Sequence, residues 1–225
     1  MKIGILQTGH VADEIQPALG DYSDMFARLL DGHGFDFVTF NVVDGEFPDG
    51  PMACDGWLIT GSRHGAYEDH AFIPPLETLI RAIRDAGLPL IGVCFGHQII
   101  AQALGGRVEK FAGGWSVGRQ EYLLDGETVA LNAWHQDQVV ELPPGAEVVA
   151  SNDFCANAAL VYGQRIFTVQ AHPEFTSAMV EVLVAYRSTT VPAALKAAAA
   201  ANLAAPTDNQ RLAARMVAVL KGGAA

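Results

Sequence analysis

Three residues of this 225-residue chain combine side-chain types and spacings that could carry out covalent catalysis. Cys94 lies in the segment LIGVCFGHQII, where an apolar run typical of a buried strand changes into one typical of a helix. His172 and Glu174 follow a second strand-like run, IFTVQ. A thiol at such a corner can act as a nucleophile, with the histidine as its base and the glutamate as the group that orients the imidazole.

Two glycines shape the corner around the thiol. Gly92 and Gly96 stand two residues before and two residues after Cys94, so the backbone can turn too tightly for larger side chains and the sulfur would project from the bend. The amino end of the helix that begins there favours the ionised thiol. Because the strands before Cys94 and His172 would end at the same edge of a parallel sheet, we predict that the two side chains meet.

The motifs G-x-C-x-G-x-Q and H-P-E resemble those of the class I glutamine amidotransferases. They are formed here by Gly92, Cys94, Gly96 and Gln98, and by the later segment 172–174. Within that family the chain is most similar to free-standing proteins described as GMP synthase-like.

The resemblance covers about residues 1–187 and implies both a fold and a reaction. The implied fold is a flavodoxin-like sheet. In the implied reaction Cys94 attacks the side-chain amide of glutamine, ammonia leaves, and water hydrolyses the glutamyl thioester. His172 and Glu174 would complete the triad, and no metal or cofactor is expected.

The segment WLITGS, another apolar run that ends in a glycine turn, fits the same resemblance. The main-chain N–H groups of Gly61 and Ser62, with that of Phe95, would hydrogen-bond the oxyanion that forms when sulfur attacks a carbonyl. Much of the family has a second glycine where this chain has Ser62. We therefore expect a tighter pocket with the main-chain donor retained.

The segment AWHQDQV resembles the stretch that holds the backbone of glutamine in GMP synthetase glutaminase domains. The resemblance implies that Asp137 receives the α-ammonium group of the substrate and that Gln98 contacts its carboxylate end. Gln136 stands where the family has glycine, which leaves the identity of the substrate open. We rank His135 below His172 as the base because no apolar strand is predicted to lead into it.

Apolar strands and amphipathic helices alternate along the first hundred residues, which indicates a parallel sheet covered by helices. Between residues 105 and 149, short runs separated by glycine and proline indicate antiparallel strands. We therefore predict an α/β fold, with a flavodoxin-like, open, mostly parallel sheet, a small antiparallel strand region and a helical C-terminal extension. The predicted strands are at about 2–7, 36–42, 55–60, 89–93 and 166–170, and the predicted helices at about 22–31, 75–86, 97–104 and 177–187.

The predicted domain organisation has two parts. Residues 1–190 form the amidotransferase-like domain, and residues 191–225 form the helical extension. Alanine favours helix strongly in the extension. Leu212, Met216 and Val219 recur at helical spacing, so we expect this extension to pack on the domain or on another subunit.

The composition excludes several classes of protein. A formal net charge of −11 argues against a nucleic-acid surface and against binding to anionic membranes. No apolar run approaches the length of a membrane span, and the first residues lack the features of a secretory signal, so we expect a cytoplasmic protein. Three widely spaced cysteines suggest neither a disulfide framework nor a zinc site.

Three functional hypotheses remain open. The chain could release ammonia from glutamine, for a separate synthase subunit or into solution. It could instead cut a γ-glutamyl bond in a peptide, since the thioester intermediate is shared and only the leaving amine differs. It could also be a non-catalytic binding or regulatory protein with the same fold. The sequence does not decide whether the chain forms a homo-oligomer.

Overall fold

A central sheet carries the site in this computed structural model, which describes residues 1–186 and 190–223. The strands of the described residues are β1 (Lys2–Leu6), β2 (Asp36–Phe40), β3 (Gly56–Ile59), β4 (Leu90–Val93), β5 (Arg107–Lys110), β6 (Ser116–Leu124), β7 (Glu127–His135), β8 (Asp137–Glu141), β9 (Ala146–Ser151), β10 (Ala159–Tyr162) and β11 (Ile166–Val169). Nine of them form one sheet in the order β2-β1-β3-β4-β11-β10-β9-β6-β7. The neighbours from β2 to β11 pair in parallel, and the remaining neighbours pair antiparallel.

Helices cover both faces of this sheet. They are α1 (Gln16–Leu19), α2 (Tyr22–Leu29), α3 (Ile73–Asp85), α4 (Phe95–Ala103), α5 (Ser177–Tyr186), α6 (Ala193–Ala201) and α7 (Asn209–Leu220). One hydrophobic core lies between the sheet and α3 and α4, and a second lies on the other side, under α2 and α7. The described chain is therefore a three-layer α/β sandwich.

Local sequence features account for these elements. Every residue of β3 and of β4 is buried, as expected for parallel strands that have helices on both faces. The helix α2 begins at a capping box in which the side chains of Asp21 and Asp24 each accept a main-chain hydrogen bond. The helix α3 buries Leu76, Ile80 and Ile83 along one stripe, which faces the sheet.

The parallel strands bring three loops to one edge of the sheet. In the β3–β4 ladder Ile59 pairs with Gly92, and in the β4–β11 ladder Val93 pairs with Val169. The chain after each of these strands therefore emerges side by side with its neighbours. In such sheets this carboxyl edge is where ligands bind.

The antiparallel region predicted between residues 105 and 149 supplies β5 to β9. Three of these strands, β6, β7 and β9, extend the main sheet itself. The other two, β5 and β8, form a separate ladder. An isolated bridge between Asn132 on β7 and His172 joins the antiparallel half of the sheet to the carboxyl edge.

The C-terminal helices pack on the rest of the chain. Leu212, Met216 and Val219 of α7 are at most 1% exposed and belong to the core under β4 and β11. The helix α6 lies on β6, where a Cβ atom added to Gly118 would come within 2.7 Å of Cβ of Ala199.

The predicted α/β fold is confirmed, and the predicted elements agree with the structure to within a few residues. The helix predicted to start at residue 97 begins at Phe95, because the turn at Cys94 leads directly into it. The predicted end of the 177–187 helix falls on Arg187, which lies outside the described residues, as do residues 224–225 of the predicted extension. Within the described ranges, none of the helices has the length and apolar character needed to cross a bilayer.

Candidate active site

Cys94 occupies the sharp corner between β4 and α4. Its backbone dihedrals are φ 52° and ψ −102°, a region that side-chain-bearing residues rarely adopt. A Cβ atom on Gly92 would lie 2.6 Å from the main-chain oxygen of Gly96, and one on Gly96 would lie 2.3 Å from that of Ile59. Because both obstacles include main chain, only glycine fits at either position, as the spacing predicts.

His172 and Glu174 lie next to this corner. Nδ1 of His172 is 2.7 Å from Oε1 of Glu174, and these side chains are only 4% and 0% exposed. The ring of Phe175 stacks on the imidazole at 3.9 Å between centroids and at 6° between planes. The main-chain N–H of His172 donates to the carbonyl of Asn132 at 2.8 Å. These contacts hold the imidazole in one orientation.

The remaining interaction of the imidazole is with the thiol. Cys94 and His172 both lie beside Gly61, and the thiol is near enough to raise the pKa of the imidazole. Since Nδ1 is engaged by Glu174, Nε2 is the ring nitrogen left for the sulfur. Burial lowers the pKa of His172, but the charges of Glu174 and Cys94 outweigh burial, and the net effect is a raised pKa. The environment therefore favours the imidazolium form, the partner that a thiolate requires.

Three main-chain donors belong to residues next to Cys94 or to the loop packed against it. Among the described residues, the N–H groups of Gly61, Ser62 and Phe95 have no hydrogen-bond acceptor. A Cβ atom on Gly61 would lie 2.9 Å from Cε1 of His172 and 3.7 Å from Cβ of Cys94, so this glycine is packed against both. These N–H groups are therefore available to an oxyanion on a substrate bound to sulfur.

The hydroxyl of Ser62 is held within the protein. Oγ donates to the main-chain oxygen of Thr8 at 2.7 Å and accepts from the N–H of His64 at 3.2 Å. Ser62 thus ties the loop after β3 to the loop after β1. Its main-chain donor is unaffected by this arrangement.

A cavity of about 250 Å³ opens in front of the sulfur. Its lining includes five predicted site residues, the histidine that we ranked second as the base, and three aromatic residues that the sequence analysis did not assign. They are Ser62, Cys94, Gln98, Asp137 and His172, then His135, then Tyr67, Trp115 and Trp134. Gln136 also lines it and donates to the main-chain oxygen of Phe111 at 3.3 Å.

The predicted substrate contacts are organised around Asp137. Tyr67 donates from its hydroxyl to Oδ1 of Asp137 at 3.2 Å, and burial raises the pKa of this carboxyl group. Gln98 donates from Nε2 to the main-chain oxygen of Asp137 at 2.9 Å and to Oε1 of Gln170 at 3.1 Å. Its amide N–H groups are therefore used within the protein, and its carbonyl oxygen is the atom left for a ligand.

His135 is placed differently from the expectation that led us to rank it second. We predicted that no strand leads into His135, and this prediction was wrong, because β7 ends at this residue. An acidic residue, Asp137, also stands two positions further on, as Glu174 does after His172. However, Nδ1 of His135 contacts the main-chain oxygen of Asp137, at 3.3 Å, and not its carboxylate. Burial and the nearby charge of His172 lower the pKa of His135 to about 3, so the ring stays neutral.

The residues that sequence reasoning missed are mainly aromatic. Phe175 directly follows the H-P-E motif, and its position there was the only signal for a stacking role. Trp115 lies in the glycine-rich run AGGWSVG, which is an unusual setting for a core tryptophan. Tyr67 lies in the loop after β3 and reaches across the cavity to Asp137 only in the folded chain.

Comparison with known proteins places this arrangement in context. The family model described as "Glutamine amidotransferase class-I" matches residues 42–182. The chain is 33% identical to Gamma-glutamyl peptidase 4 of Arabidopsis thaliana over 172 residues, which are 69% of this chain and 68% of that protein. It is 34% identical over 171 residues to the GMP synthase [glutamine-hydrolyzing] of Burkholderia ambifaria, covering 66% of this chain and 30% of the synthase.

A solved structure supports the fold. The glutamine amido transferase from Methylobacillus flagellatus superposes with a TM-score of 0.74 at 21% identity, over 100% of this chain and 95% of that protein. At that level of identity the likeness concerns the architecture alone.

Proposed function

Because the chain belongs to the class I glutamine amidotransferase family, we propose that it hydrolyses γ-glutamyl amide bonds with Cys94 as the nucleophile. The observation that carries the proposal is the buried pair of His172 and Glu174 next to Cys94, with Cys94 and His172 both lining an open cavity. In this arrangement one imidazole nitrogen is engaged by a carboxylate and the other is left to take the proton of the thiol.

The reaction follows from the groups around the sulfur. The thiolate of Cys94 attacks the amide carbonyl, and the N–H groups of Gly61, Ser62 and Phe95 stabilise the oxyanion. The imidazolium of His172 gives its proton to the leaving amine as the carbon–nitrogen bond breaks, which leaves a glutamyl thioester. The same imidazole then takes a proton from water, whose oxygen displaces the sulfur and releases glutamate.

The substrate is proposed to bind through its amino-acid end. Asp137, held by Tyr67, would receive the α-ammonium group as a carboxylate. The carbonyl oxygen of Gln98 and the side chain of Gln136 supply further polar contacts near the glutamyl backbone. Binding the zwitterion in this way would place the γ-carbonyl toward Cys94.

Between the two substrate classes, we favour γ-glutamyl peptides. Trp115, Trp134 and Leu183 line the same cavity as Cys94, and an apolar wall suits the side chain of a residue linked to the γ-carboxyl group. Ammonia would gain nothing from such a wall. Relatives named as γ-glutamyl peptidases, which the chain matches over about 70% of their length, point to the same class.

Glutamine remains the second candidate substrate. It is favoured by the similarity to the GMP synthase of Burkholderia ambifaria. In that case a separate synthase subunit would receive the ammonia. Either reaction requires Cys94 as a free thiol, which a reducing compartment such as the cytoplasm would preserve.

One assay tests the chemistry and separates the two substrates. Glutamate release is measured from glutamine and from a panel of γ-glutamyl dipeptides, with wild-type protein, Cys94→Ala and the control variant Cys54→Ala, which removes another buried free cysteine. We expect release by the wild type and the control only, with dipeptides preferred. Release by Cys94→Ala at the wild-type rate would overturn the proposal. A lack of turnover of every compound by the wild type would favour the non-catalytic hypothesis.

A further inference from the structure

A cluster of metal-ligating side chains lies beside the cavity, in the loop between β3 and α3. His64, Glu68 and His70 each offer one ligand atom, and these atoms lie within 4.8 Å of one another. We propose that this triad binds a divalent transition-metal ion of the Zn²⁺ class. The site is distinct from the catalytic groups, and the proposal does not depend on the reaction assigned to Cys94.

The geometry is close to that of a bound ion. Nε2 of His70 is 2.8 Å from Oε2 of Glu68, and Nδ1 of His64 is 3.9 Å from the same oxygen. Ligand bonds of about 2.0 to 2.2 Å to Zn²⁺ in a tetrahedral arrangement place ligand atoms roughly 3.3 to 3.5 Å apart. The existing separations lie on either side of that value, so small rotations of the side chains would admit the ion.

The loop holds the three side chains before any ion binds. The N–H of Glu68 donates to the main-chain oxygen of Gly65, and that of His70 donates to the main-chain oxygen of Glu68. The rings of His64 and His70 lie 4.1 Å apart, and both pack on the ring of Phe72. A ligand set that is already ordered loses little conformational entropy on binding.

The nitrogen and oxygen ligands of the cluster suit Zn²⁺, a cation of intermediate softness. Two imidazoles and one carboxylate are ligands that Zn²⁺ takes in three-ligand protein sites, with the remaining position left for water or another ligand. The three side chains are 18%, 46% and 34% exposed, which gives an ion a path from solvent.

The position of the cluster connects it to the cavity. His64 and Glu68 line the cavity in front of Cys94, and the intervening Tyr67 holds Asp137 on the opposite wall. The N–H of His64 also donates to Oγ of Ser62, beside the proposed oxyanion donors. A metal ion at the cluster would therefore hold the loop that forms one rim of the cavity in a fixed conformation.

The test measures binding of Zn²⁺ alone, in competition with a chromophoric chelator. The parent is Cys94→Ala, which removes a second place where the ion could bind, the Cys94 thiol beside His172. His64→Gln, Glu68→Gln and His70→Gln are made in this parent. His33→Gln, in the turn before β2 and far along the chain from the cluster, is the matched control. Circular dichroism establishes that each variant is folded.

We expect the parent and the His33→Gln control to bind one equivalent of Zn²⁺, and each ligand variant to bind at least tenfold more weakly. Zn²⁺ should also raise the thermal midpoint of the parent and leave that of His70→Gln unchanged. Binding of equal affinity by all variants would overturn the proposal, as would the absence of binding by the parent. If the parent does not bind, the contact between Glu68 and His70 is a hydrogen bond only.

Discussion

Replacing Glu174 with glutamine tests the role of charge in the proposed triad. Oε1 of Glu174 is 2.7 Å from Nδ1 of His172, and both side chains are almost fully buried. At that distance, with an effective dielectric constant of about 20, Coulomb attraction is about 6 kcal/mol before the desolvation of both groups is subtracted. Removing one partner of a buried ion pair typically lowers the stability of the fold by about 3 to 5 kcal/mol.

The imidazolium of His172 persists in the proposed transition state, so losing its charged partner there should lower kcat/KM of Glu174→Gln about 10²- to 10⁴-fold, at about 1.4 kcal/mol for each factor of ten. Glutamine keeps an oxygen that accepts from Nδ1–H, so the ring keeps its orientation and only the charge is lost. Glu174→Ala removes the orientation as well and should lose more. Glu181→Gln, at an exposed position on α5, is the control and should match the wild type.

The pH profile separates this role from a structural one. Glu174 raises the pKa of His172 in the folded protein, and its neutral replacement lowers that pKa. The active form pairs a thiolate with an imidazolium, and this form is lost when the pH rises through the pKa of His172. The alkaline limb of kcat/KM should thus move to lower pH in Glu174→Gln. Activity within threefold of the wild type, with an unmoved alkaline limb, would refute the reasoning.

Three further predictions concern binding and stability. In steady-state kinetics, Asp137→Asn should raise KM for a γ-glutamyl substrate at least tenfold and change kcat little, because it removes the charge proposed to bind the α-ammonium group. A changed kcat with an unchanged KM would argue against that role. Gly96→Ala should lower the free energy of unfolding, measured in urea, by about 2 kcal/mol or more, because the added Cβ would meet the main chain of Ile59. The control Gly50→Ala lies in open space with an extended backbone and should change this free energy little. Equal stabilities of the two variants would contradict the prediction. Met216→Ala should lower the free energy of unfolding by about 2 to 5 kcal/mol in the same measurement, since this side chain is fully buried under the sheet. A loss below about 1 kcal/mol would mean that α7 contributes little to the core.

The central parts of the fold could be predicted because their causes are local. Alternating apolar strands and helices indicate a parallel sheet, and parallel strands place the residues that follow them at one edge. Cys94 and His172 each follow such a strand, so their meeting required only that β4 and β11 be neighbours, as they are. Hydrophobic periodicity likewise indicated a buried face on α7, although the sequence left open what covers that face.

Other features could not be predicted because their partners are distant in sequence. Gln98 was expected to use its amide on the substrate, but its N–H groups are engaged by Asp137 and Gln170. His135 precedes an acidic residue at the same spacing as His172, yet its ring meets a main-chain oxygen instead. The two segments that begin at His135 and His172 are similar in sequence, but only the second forms a carboxylate–imidazole pair. The difference depends on the direction of the backbone after each strand, which the sequence does not reveal.

By itself the sequence determined the parallel α/β architecture and the corner at Cys94, because glycine spacing and hydrophobic period act over a few residues. Only the tertiary structure decided that Tyr67 faces Asp137 across a cavity. It also decided that His64, Glu68 and His70 gather into one cluster, where the sequence analysis expected no metal ligands. A loop without regular periodicity takes its shape from its turns and from the elements packed against it, and these exist only in the folded chain.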